Sequence, residues 1–207
     1  MDFTVASYAV WRAEGADGTV AKPDVSFIPP LERRRLTGVE RAALAVAWQV
    51  RPEGEVPVVF ASRWGEIGVT VKLMTQFHAD REMSPAGFSA SVHNAAPGAF
   101  SLLTHNHAPY TAIAARERSL EAGLLEALTQ GAVVFVFAEE ATPAFYAPAF
   151  GPLQPACALA VRLEPGGTCR AEFHSTECGP LAFDAADAFF SGRADALEAA
   201  SFTLTRA

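Results

Sequence analysis

The sequence predicts an α/β layered domain: one mixed sheet of about five strands flanked by helices. Two observations carry this. Short apolar runs at residues 56–62 and 132–138 have the length and β-branched content of strands buried on both faces. They alternate with helical stretches at 38–51 and 119–130, the pattern expected of strands joined by helical crossovers. With 207 residues, 50% of them hydrophobic, the chain can bury one substantial core, so residues 1–207 are read as a single domain without internal repeats.

Residues 3–11 are rich in β-formers and predict an opening strand; Gly15, Asp17-Gly18 and Pro29-Pro30 then mark a long irregular connection. Thr37 and Glu40 have capping-box spacing, and Val39, Ala42, Val46 and Val50 recur at helical intervals, which predicts a helix over 38–51. After the 56–62 strand, Ser62-Arg63-Trp64-Gly65-Glu66 forms a turn into a helix with Ile67, Val71, Met74 and His78 on one face. Ser84-Pro85 offers a cap and a first-turn proline, and Pro97 places the next main helix after Asn94. Residues 111–115 make a short strand and 119–130 a helix closed by Gly131, with Leu120, Leu124, Leu125 and Leu128 as its apolar stripe. Beyond the 132–138 strand, Pro143, Pro148, Pro152 and Pro155 predict a loop. Residues 156–163 and 168–175, joined by Glu164-Pro165-Gly166-Gly167, read as a hairpin, and 183–200 as a terminal helix interrupted at Gly192.

The charge pattern removes several classes of function. Sixteen basic against 23 acidic residues give a net −7 without long runs, which disfavours nucleic acid or an anionic membrane as partner. No stretch approaches the roughly 18–20 apolar residues of a membrane span, and Met1-Asp2-Phe3-Thr4 lacks a signal-peptide pattern; the expectation is a cytoplasmic protein. Cys157, Cys169 and Cys178 are odd in number and lack CxxC spacing, so reduced structural thiols are expected. His93, His105 and His107 lie close in sequence, but no convincing third and fourth ligand completes a zinc site. Ser89, Ser91 or Ser101 with His93 would be a hydrolase pair only with an orienting acid, which cannot be assigned, and no Gly-x-Ser-x-Gly elbow is present. Phosphate-binding glycine motifs are absent, and no cofactor is expected.

The stretch Val92-His93-Asn94-Ala95-Ala96-Pro97-Gly98-Ala99-Phe100-Ser101 resembles the part of β-ketoacyl synthases where an asparagine precedes a glycine-containing helix start. Pro109 then falls where that family has Gly-Pro, and residues 111–115 match its nucleophile strand. Glu117 falls on the cysteine of its Ala-Cys pattern, and Glu126-Ala127 with Gly131 match the following helix. Upstream, Phe60 to Glu66 is similar to the preceding strand and glycine turn. Downstream, Phe137-Ala138-Glu139-Glu140 and residues 156–164 are similar to later strands, so the resemblance covers about residues 56–164.

This resemblance implies half of a thiolase-like fold without its chemistry. A ketosynthase needs a thiolate to accept the acyl chain, and a carboxylate at 117 cannot replace it. The histidine-bearing second half of the family's enzymes also has no counterpart here. Such a chain resembles the short, chain-length-factor-like homologues found with aryl polyene or fatty-acid-like biosynthetic systems. It is therefore expected to be non-catalytic, to pair with a full-length ketosynthase, and to work with acyl carrier protein. Its expected interface is the 111–115 strand with the helix after Asn94; His93, Asn94, Phe88, Phe100, Leu103 and Tyr110 are the substrate or interface residues. Self-association through the same face is compatible with these features. A small acyl thioesterase or esterase, and a self-associating scaffold without an acyl ligand, are the other readings left open.

Overall fold

The computed structural model describes residues 1–14, 20–150 and 154–207; Gly15, Asp17-Gly18 and Pro152, read above as loop markers, lie outside them. The chain opens with β1 (Asp2–Arg12), α1 (Pro30–Arg33) and α2 (Gly38–Val50). Next come β2 (Val58–Ala61), α3 (Ile67–Asp80), α4 (Pro85–Ser89), α5 (Ala95–Thr104) and β3 (Tyr110–Ile113). A 3-10 turn at Arg116–Arg118 leads into α6 (Ser119–Thr129) and β4 (Val133–Glu139). The remainder is α7 (Ala147–Phe150), β5 (Cys157–Pro165), β6 (Cys169–Phe173), α8 (Phe183–Phe190), β7 (Ala196–Glu198) and β8 (Phe202–Arg206).

All eight strands join one mixed sheet in the order β3-β2-β4-β5-β1-β6-β8-β7, larger than the five strands expected. β3, β2 and β4 are parallel, and every later pairing is antiparallel. Alternation along the central strands feeds two cores. Val133, Phe135 and Phe137 of β4 meet Leu120, Leu124 and Leu128 of α6 and Phe189 of α8 on one face. Val134, Val136 and Ala138 meet Val46 and Val50 of α2 and Phe100 of α5 on the other. The predicted capping box starts α2: Thr37 Oγ1 accepts from Glu40 N at 3.1 Å, and Thr37 N donates to Glu40 Oε2 at 2.7 Å. Ser84 caps α4 by a single bond, its Oγ accepting from Gly87 N, with Pro85 in the first turn.

Four expectations need correction. Residues 156–163 and 168–175 are not a hairpin, because β1 lies between them, pairing β5 along its length and β6 through Asp2 and Phe3. The turn signal reported a chain reversal but not the strand that fills the gap; Gly166 can cross there because it lies against Thr4, where a Cβ would fall 2.0 Å from Oγ1. The terminal helix stops at Phe190, since Gly192 takes a left-handed φ of 78°, and β7 and β8 follow. The Pro-rich loop contains a short turn at Ala144–Tyr146 and α7. Lastly, α3 buries Leu73 alone, so the face of Ile67, Val71, Met74 and His78 does not pack into the core.

Candidate functional site

The parallel strands β3, β2 and β4 end side by side, and their carboxyl ends feed the segments that resembled the ketosynthase framework. Such ends are the usual place for a site in an α/β sheet. After β3 the chain turns sharply into α6. The residue in the left-handed conformation is Arg116, with φ 55°, one position before Glu117. Ser119 fixes the turn: its Oγ accepts from Ala115 N at 2.9 Å and donates to Arg116 O at 2.7 Å.

Glu117 faces a cleft of about 380 Å³ lined by residues including Arg63, Trp64, Arg116, Leu120, Phe137, Leu181 and Phe183. Arg63, from the loop after β2, donates through Nη2 to Glu117 Oε1 at 2.7 Å. A hydrogen bond from its own main-chain N–H, then the charges of Arg63 and Arg116, hold the Glu117 carboxyl below the ordinary range. The flanking Arg118 is engaged elsewhere, with Glu121 at 2.9 Å and Cys178 O at 2.6 Å. An ionised, exposed carboxylate paired to arginine is a weak nucleophile and a poor general acid.

Of three further carboxyls that the sequence reading did not assign to the site, Glu139 and Glu140 line the cleft, and Glu66 occupies the cap position of α3. Glu139 at the end of β4 accepts from Ser62 Oγ at 3.1 Å, from Arg63 N, and from Trp64 N at 3.4 Å, fixing the loop that carries Arg63. Burial pushes its carboxyl up to about 7 against those hydrogen bonds. Glu140 accepts from Gly68 N at the start of α3; a Cβ on Gly68 would lie 2.8 Å from Glu140 Oε2, so glycine is what lets the two meet. Glu66 accepts from Thr37 Oγ1 at 2.9 Å while its buried Oε2 has no hydrogen-bond partner, and burial pushes it up to about 8. The sequence signal for Glu139 was a charged pair closing the most apolar strand.

Glu66 has a consequence for stability. Its folded value lies above the ordinary 4.5, so the folded state holds a proton that the unfolded state releases, and stability falls as pH rises from about 4.5 to about 8. Glu66→Gln is expected to raise stability on the order of 2 kcal/mol at pH 8.5 and to change it little at pH 4.5. Chemical denaturation at the two pH values reads this directly.

The remaining predicted residues lie away from the Glu117 cleft. His93 Nε2 donates to Ser62 O at 2.9 Å, and its ring sits edge-on to Phe60 at 5.8 Å, on the sheet face opposite Phe137. It does not cap α5; Asn94 holds the cap position without a side-chain hydrogen bond. Phe100 is buried against α2, Leu103 packs on the same core, and Phe88 and Tyr110 are exposed. Ser89, Ser91 and Ser101 hydroxyls donate to the carbonyls of Pro85, Phe88 and Asn106. Cys157 is a poor substitute nucleophile, because burial and then Glu139 push its thiol up to about 12. Among the described residues no trio of His, Cys, Asp or Glu could hold a metal ion, and no helix is long and apolar enough to cross a membrane.

The fold and the ends of its parallel strands define a ketosynthase-like chain. The family described as Beta-ketoacyl synthase, N-terminal domain, matches residues 8–192, and the chain belongs to it. Three solved structures are similar. The first is the ketosynthase (ApeO) in complex with its chain length factor (ApeC) from Xenorhabdus doucetiae: the match has TM-score 0.79 and 20% identity and covers 100% of both chains. The second is the ishigamide ketosynthase/chain length factor, with TM-score 0.61, 13% identity, and coverage of 84% of this chain and 68% of that one. The third is the AntDE:AntF structure of a type II PKS acyl-carrier protein with its ketosynthase, with TM-score 0.60, 13% identity, and coverage of 83% and 69%. These likenesses show the thiolase-like fold. No curated protein matches the sequence.

Proposed function

We propose that this chain is a non-catalytic, chain-length-factor-like subunit. It pairs with a full-length β-ketoacyl synthase and, with acyl carrier protein, supports acyl chain elongation in polyketide, aryl polyene or fatty-acid-like biosynthesis. The observation that carries this reading is an intact strand-turn-helix frame after β3 that presents Arg116 and an arginine-paired Glu117 in place of a thiol. The complete coverage of both chains in the match to a ketosynthase–chain length factor structure supports the same reading.

The docking edge follows from the sheet. β3 is a terminal strand, and Pro109 and Ile113 carbonyls accept from Val58 and Ser62 N–H. Alternation along the strand turns the main-chain groups of Tyr110 and Ala112 to the open side, where a partner strand can bind them. Tyr110, Phe88 and Asn94 would meet the partner, while Phe100 and Leu103 support the face from behind. His93 holds the Ser62 loop in position between them.

The isolated chain should carry no acyl group after incubation with acyl- or malonyl-acyl carrier protein, as read by intact mass spectrometry. Glu117→Cys should likewise give no condensation product on its own, because no histidine lines the cleft beside residue 117 among the described residues. Acylation of the native chain, or condensation by either form alone, would show an enzyme instead.

A further inference from the structure

The arm formed by α3 and α4 has little apolar packing on the body of the protein and two carboxyl groups at its base. In the 14 residues of α3 only Leu73 is buried, and it is covered from within the arm by Gly87 of α4, where a Cβ would fall 2.9 Å from Leu73 Cδ2. Glu66 holds the cap position of α3 without a side-chain capping bond. Its Oε1 accepts from Thr37 Oγ1 at 2.9 Å, and its Oε2 is buried without a partner. Glu140 supplies the missing bond by accepting from Gly68 N. Its Oε2 also lies 3.5 Å from where a Cβ on Gly38 would fall, so Glu140 sits between the starts of α2 and α3.

We infer that Glu66 and Glu140 form a proton latch for this arm: sharing one proton they hold it closed, and with both ionised it swings out about Gly65. Their surroundings assign the single charge. Glu140 takes an N–H at a helix start, where negative charge is favoured, whereas an ionised Glu66 would leave a charged oxygen buried without a partner. The groups around Glu66 add to that cost. Glu40 of α2, bound to Thr37 N at 2.7 Å, and Glu140 after β4 both act on it with charge of its own sign. His93, from the segment between α4 and α5, packs against Gly65 with its Nε2 on Ser62 O at 2.9 Å, and Arg63 in the same loop pairs with Glu117. The pivot follows from what stays fixed. Ser62, Arg63 and Trp64 donate to Glu139, and those bonds strengthen as Glu139 ionises, so the Glu117 cleft keeps its shape. Gly65, the next residue, takes a left-handed φ of 52°, and the ties just beyond it are those of Glu66 and Glu140.

The test is hydrogen exchange of the full chain from about pH 6.5 to about pH 9, each rate corrected for intrinsic exchange at that pH, beside the same series for Glu66→Gln. Burial holds the Glu66 carboxyl at about 8 in the closed arm, against the ordinary 4.5 once released, so closure weakens as pH rises toward about 8 and levels off above it. The expected result is a loss of protection on the order of 30-fold over residues 67–80 across that range, while α2 and β4 keep theirs. Glu66→Gln copies the protonated side chain at every pH and should hold the protection of the arm constant. A flat profile in the native chain, or a fall that Glu66→Gln shares, would overturn the latch. A fall spread equally over α2, β4 and the arm would overturn it as well, because that is loss of global stability and not release of the arm. The flat and the global profiles are both read on the native chain alone.

Discussion

Ala112→Pro is expected to weaken the complex with a ketosynthase about 10- to 100-fold while leaving the chain folded. The substitution deletes one outward N–H of β3 and places a ring where a partner strand would lie. A partner carbonyl left without its donor in a buried interface costs about 1–3 kcal/mol, which is that range of affinity. The inward face should be spared, because the carbonyls that tie β3 to β2 belong to Pro109 and Ile113. Binding titrations of native and variant chains, with thermal melts as the control for folding, read both halves of the expectation. A complex that forms equally well would remove β3 from the interface.

Phe135→Ala is expected to have the largest effect on stability, about 3–5 kcal/mol. Phe135 is fully buried at the centre of β4 and fills the space that Gly123 leaves on α6. A Cβ on Gly123 would fall 2.4 Å from Ala61 Cβ and 2.8 Å from the Phe135 ring, so helix and sheet are already at their closest approach there. Contact that close prevents collapse into the void. At about 2–4 °C per kcal/mol for a domain of this size, the melting temperature should fall by about 10 °C. A fall of less than half that would show that α6 closes on the sheet after all.

Local chemistry was what the sequence made legible. The capping box of α2, the serine cap and first-turn proline of α4, the glycine stop of α6 and the run of β4 each depend on a few neighbouring residues, and each is present. What was lost depended on distant chain. The place of β1 between β5 and β6 brings together residues from 145 (Arg12 and Cys157) to 168 (Asp2 and Arg170) positions apart, and no turn signal encodes that. The strands β7 and β8 were readable in principle, since Leu197, Phe202 and Leu204 are buried at alternating positions, but the preceding helical period obscured them.

The site divides in the same way. The strand before Glu117 was legible in the sequence, whereas Arg63, which pairs with Glu117, is 54 positions away and no local spacing points to it. Glu66 and Glu139 look like surface carboxylates in the sequence; only the packing of α2, α3 and the β2 loop around them shows that they are buried. His93, close to Ser89 and Ser91 in sequence, turns away from them to the Ser62 carbonyl.

The most direct measurement of the central proposal is product formation by a full-length ketosynthase with acyl carrier protein and malonyl units, with and without this chain, combined with intact mass of each protein during turnover. The expected result is that elongated product depends on the pair, that acyl groups reside on the ketosynthase and carrier protein, and that this chain stays unmodified. An acyl group on this chain, or condensation by this chain in the absence of a ketosynthase, would contradict it.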